Sequence, residues 1–126
     1  MNRDEFCQKI KREFPEISVR ADKQYTRQWG DFRDTEYYSY SWFEALANAL
    51  NEEMRKNTEP EKFSGLLQNL STAYESDEEE IRQAIDVAFV ENLFWQVPEI
   101  NCRSYWEALP NNLKELYEGF HHRTPL

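Results

Sequence analysis

The chain has 126 residues and a formal net charge of −9, with 24 Asp and Glu against 15 Lys and Arg, and aromatic residues make up 15% of it. That length suits one domain, residues 1–126, with a core large enough to need no disulfide staples, and the aromatic content argues against disorder. The acidic balance leaves no cationic surplus for displacing counterions from a phosphate backbone, which argues against general nucleic-acid binding and toward a basic protein partner.

No run of about 18 apolar residues is present, and the charged opening Met1 to Glu5 lacks an apolar segment behind it. Neither a membrane span nor a secretory leader is expected, and the predicted location is cytoplasmic. Cys7 and Cys102 are too few and too far apart for a zinc ribbon or a redox pair, so two free thiols are the default.

Only three Gly and five Pro are available for turns, so the chain reads as all-α, five to six amphipathic helices in a single domain. Phe6, Ile10 and Phe14 recur every four residues and predict a helix over about 3–14, stopped at Pro15. Between Glu16 and Tyr40 the pattern weakens. Ile17, Val19, Tyr25, Arg27 and Trp29 fall on odd positions, which suits a short β-hairpin over about 17–29, or equally an ordered loop packed by Trp29 and Phe32.

Three capping boxes then punctuate the chain. Ser41 with Glu44 opens a helix through Leu46, Leu50 and Met54 that stops at Asn57; Thr58 with Glu61 opens one burying Phe63, Leu66, Leu67 and Leu70. Ser76 with Glu79 opens a fourth through Ile81, Ile85, Ala88, Phe89 and Leu93, closed by Pro98. A link of about two residues between the third and fourth predicts an αα-hairpin at about 59–95. Ser104 and Glu107 suggest one short turn carrying Tyr105 and Trp106, and Leu113, Leu116, Tyr117 and Phe120 form a last helix.

Charge is uneven. Residues 1–35 hold eight basic and seven acidic side chains, whereas residues 36–126 hold seven basic and seventeen acidic, so the helical body carries the surplus. Its densest part is Asp77, Glu78, Glu79 and Glu80. Carboxylates in a first turn are favoured by the helix dipole, but four exceed what capping needs, and a cationic partner would relieve their repulsion. Glu52, Glu53, Glu59 and Glu61 would broaden this face if the hairpin lies beside them. The aromatics Trp29, Tyr37, Tyr38 and Trp42 lie outside clean helical stripes; they are either core and lid residues or an interface patch.

Catalytic chemistry has little support. His121 and His122 are adjacent, so they point apart on a helix and make poor co-ligands; no metal is expected. Cys7 sits beside an apolar stripe, and no Gly-framed Ser or phosphate-cradling loop exists, so neither an enzyme nor a cofactor is expected.

The segment DEEEIRQAIDVAFVENL (Asp77 to Leu93) and the opening DEFCQKIKREFPEI (Asp4 to Ile17) resemble an uncharacterised family of small bacterial proteins. The resemblance covers about half the chain and implies a helical immunity protein of the kind paired with secreted toxins, including those of contact-dependent inhibition systems. The expected partner is a cognate protein toxin with a basic cleft, met by Asp77, Glu78, Glu79 and Glu80 for steering and by Trp29, Tyr37, Tyr38 and Trp42 as anchors. The alternative is a non-catalytic helical adaptor for a basic or peptide partner. Oligomeric state is left open.

Overall fold

A computed structural model of the chain describes residues 1–30 and 38–126. Among these, every regular element is helical: α1 (Arg3–Glu13), α2 (Pro15–Trp29), α3 (Tyr38–Arg55), α4 (Ser64–Tyr74), α5 (Glu79–Gln83), α6 (Glu99–Ala108) and α7 (Asn111–His121). A 3₁₀ turn, Pro60–Phe63, precedes α4, and α5 runs on as a π-helical segment, Ala84–Phe89, and a 3₁₀ turn, Val90–Asn92. The all-α class is as the sequence indicates, with more helices than the five or six expected.

The largest correction concerns residues 17–29. They are not a β-hairpin but most of α2, because Pro15 occupies the first turn of a helix, where its missing N–H costs nothing. The decisive spacing is four, not two: Ile17, Ala21 and Tyr25 go inward with Ser18, while Val19 stays exposed. Gly30, at φ 75°, then ends the helix in a conformation that L residues avoid.

Helix starts also differ from the capping boxes. α1 opens with one of its own, Asn2 accepting from the Glu5 amide and Glu5 accepting from the Asn2 amide. Ser41 and Glu44 instead lie inside α3, and Thr58 donates to Glu53 rather than capping a helix. At α5 the Ser76 hydroxyl accepts from the Glu78 amide, two residues on, and Glu78 is the residue that precedes the first turn. Residues 75–78 make the link between α4 and α5, longer than expected, and the fourth helical stretch stops at Asn92 rather than at Pro98. Pro98 instead leads into α6, a full helix where one turn was expected.

Helix α3 is the axis of the core. Trp42, Phe43, Leu46, Leu50 and Met54 are buried along it, and Ala45, Ala47 and Ala49 fill its other sides, so neighbours close round it. Its partners are α2, the π segment, α1 and α6. Phe6 of α1 stacks on Phe43, and a second aromatic cluster joins Phe94, Trp106 and Tyr117.

Candidate functional site

The predicted site residues separate. Asp77, Glu78, Glu79 and Glu80 are all exposed at the start of α5, where α5 meets α1 and Glu78 lies 3.8 Å from the Met1 amino group. Glu53 does not extend this face: it is buried at the end of α3, held by Arg20 at 3.3 Å and Lys56 at 3.6 Å. Glu52 pairs with Arg27.

The aromatic anchors divide in three ways. Trp29 is 51% exposed at the end of α2. Tyr37 lies outside the described residues. Trp42 is 0% exposed, its indole N–H donating to Asp22 at 2.8 Å, so it is a core residue that offers no surface to a partner. Tyr38 is half-buried against Tyr25 and accepts from the Lys11 ammonium.

Those last contacts belong to a polar recess of about 550 Å³ between α1, α2 and α3, lined by Asp4, Cys7, Lys11, Asp22, Tyr38 and Ser39 among others. Lys11 is satisfied from within the protein, 3.2 Å from Asp22 and over the rings of Tyr38 and Trp42. Burial works against its charge, but the Tyr38 hydrogen bond and the field of Asp22 hold it above the usual lysine range. Burial pushes the Cys7 thiol up to about 12, which leaves no thiolate at neutral pH. The Cys7 thiol is therefore no nucleophile at neutral pH, and the Lys11 charge is met by Asp22.

The feature that sequence reasoning missed is the loop between the Val90–Asn92 turn and α6. Phe94 (φ 68°) and Gln96 (φ 53°) both take the left-handed backbone, flanking Trp95. For residues with a Cβ that conformation costs roughly 1–2 kcal/mol each, so something must hold it. Asn51, wholly buried on α3, accepts from the Phe94 amide at 2.7 Å and donates to the Asn92 carbonyl at 2.9 Å. Arg55, one turn further along α3, donates to the Trp95 and Gln96 carbonyls at 2.9 and 3.1 Å. The Phe94 ring anchors the loop inward against Trp106 and Tyr117, and the Val97 amide closes a turn onto the Phe94 carbonyl.

With Phe94 turned in, Trp95 is turned out and 60% exposed. The next large apolar residue, Ile100 in the first turn of α6, is 88% exposed. One signal for it was available: the buried side of α6 is Cys102, Tyr105, Trp106 and then Leu109, spaced by three and four, and Ile100 is off that stripe. Nothing local marks Trp95, because its direction depends on Asn51 and Arg55, some forty positions earlier.

Two half-buried carboxylates, Asp86 in the π-helical segment and Glu91 in the turn after it, have raised pKa values, each through burial and Glu91 also through Asp86. Among the described residues, no three His, Cys, Asp or Glu side chains gather as a metal-binding group, and no helix is long and apolar enough to cross a membrane. His121 stacks on Tyr117, and its ring nitrogen lies 3.1 Å from the Glu91 carbonyl oxygen.

No curated protein and no solved structure matches the chain. A family described as a domain of unknown function, DUF7674, matches residues 7–123, which is nearly the whole chain including every helix from the body of α1 to α7, and the protein belongs to that family.

Proposed function

We propose that the protein is a non-catalytic immunity protein that neutralises a cognate protein toxin in the cytoplasm by binding it. The observation that carries this reading is the loop that exposes Trp95. Single exposed apolar residues are ordinary, but a Trp held outward by two left-handed residues and four side-chain hydrogen bonds loses little freedom on binding. Rigid aromatic residues of this type dominate interface energetics. Ile100 follows it as a second apolar contact, and the exposed carboxylates Asp77, Glu78, Glu79 and Glu80 supply long-range attraction for a basic cleft.

The test is co-expression with the toxin encoded beside it. The wild-type chain should protect the host, Trp95→Ala and Ile100→Asp should abolish or sharply weaken protection, and both variants should remain folded. Absence of protection by the wild-type chain would refute the reading.

A further inference from the structure

Helix α2 has an outward stripe opposite its core face. Val19, Lys23, Thr26 and Trp29 follow at helical spacing, with Val19 53% and Trp29 51% exposed. Beside this stripe, between α2 and the end of α3, runs a groove of about 510 Å³ lined by Arg20, Lys23, Arg27 and Lys56, by the carboxylates Glu16 and Glu52, and by Val19. Four cations around one groove are unexpected in a chain of net charge −9.

Their partners account for part of them. Arg20 and Lys56 share the buried Glu53, and Arg27 meets Glu52 at 3.3 Å on the rim, while Glu16 is taken up by Lys62 at 2.7 Å. Among the described residues Lys23 makes no ion pair. A guanidinium has five N–H donors, and a single carboxylate contact by Arg27, itself exposed, leaves most of them facing water.

We propose that this groove docks a short acidic segment of a partner protein, its carboxylates on Lys23 and Arg27 and an apolar side chain against Val19. From Val19 to Trp29 the helix rises about 15 Å, which an extended segment of about five residues spans. Such a segment meets only the groove. A nucleic acid is long enough to meet the acidic remainder of the surface as well, where it is repelled, so the charge distribution favours the peptide. This surface is distinct from the Trp95 loop and does not depend on it.

The probe is a fluorescein-labelled Glu-Glu-Leu-Glu-Glu peptide, titrated with the full chain by fluorescence anisotropy beside a Lys-Lys-Leu-Lys-Lys peptide and a labelled single-stranded oligonucleotide. The acidic peptide alone should bind saturably, more weakly as salt screens the contacts. Lys23→Glu with Arg27→Glu should reduce its affinity about tenfold or more, and Val19→Asp should also reduce it. Lys23→Gln with Arg27→Gln, which only removes charge, gives the same direction with less risk to folding, and circular dichroism verifies every variant. Trp95→Ala and Asp77→Asn should bind as wild type. No saturable binding of the acidic peptide, equal binding by the charge variants, or tighter binding of the oligonucleotide would overturn the proposal.

Discussion

The start of α5 and the loop at Phe94 to Val97 are both candidates for meeting a partner, and they are built in opposite ways. The first is four exposed carboxylates that water and a helix dipole satisfy where they stand. The second is one indole whose exposure is enforced by strained backbone and by two polar side chains of another helix, the buried Asn51 and the exposed Arg55. The contrast separates steering from anchoring: a charge cluster acts at a distance with no fixed geometry, whereas an anchor needs a rigid base.

Removing that base should have the largest effect. Asn51→Ala leaves the Phe94 amide and the Asn92 carbonyl without their side-chain partner, and each such loss costs about 1–3 kcal/mol, so urea denaturation should show a loss of roughly 2–4 kcal/mol. Limited proteolysis should then cut the loop first. A loss below about 1 kcal/mol would show that the loop does not rely on Asn51.

The acidic side of the comparison is expected to be tolerant. Neutralising Asp77, Glu78, Glu79 and Glu80 to their amides removes favourable dipole interactions and mutual repulsion together, so the net change should stay within about 1 kcal/mol by the same denaturation assay. Gln96→Gly sharpens the other side: it relieves a left-handed residue but frees the unfolded chain, and a gain of about 0.5 kcal/mol is expected. Trp95→Ala should change stability by no more than about 0.5 kcal/mol, because the ring is on the surface.

The smallest effect is a pH dependence from Asp86 and Glu91. Burial raises both pKa values, so the native state binds protons more readily than the unfolded chain. Their contribution to stability is fully present below the ordinary carboxylate range, near about 4, and is lost as pH rises through the raised values. Asp86→Asn should therefore raise Tm slightly at neutral pH and lose that advantage in acid. An advantage that grew on acidification would contradict the burial assignment.

What could be read from the sequence followed from local chemistry. The stripes of Phe6 and Ile10, of Leu46 and Leu50, and of Leu66, Leu67 and Leu70 are core as expected, because spacing alone decides which side of a helix is apolar. Asn57 ends α3 in the left-handed region, a conformation that Asn tolerates. The odd-position pattern over 17–29 mixes Val19, Arg27 and Trp29, which face water, with Ile17 and Tyr25, which do not, and so hides the helical spacing of α2. Trp42 reads from sequence as a surface anchor because a large aromatic carries no local mark of its direction; the Asp22 acceptor that satisfies its N–H comes from α2, which the sequence pattern does not reveal as a helix. The charge of the α5 start was visible at once. The Trp95 loop was not, because its cause is a contact between distant parts of the chain.

The most direct test of a loop-centred interface is the affinity of the protein for the proposed toxin partner, sought in the product of a neighbouring gene, compared for wild type, Trp95→Ala and the four-amide variant of residues 77–80. Loss of the anchor should weaken binding by about 30-fold or more through faster dissociation, while loss of the carboxylates should mainly slow association and reduce its dependence on salt. Wild-type affinity in Trp95→Ala, with the loss confined to the carboxylate variant, would contradict it and move the interface to the acidic end of α5.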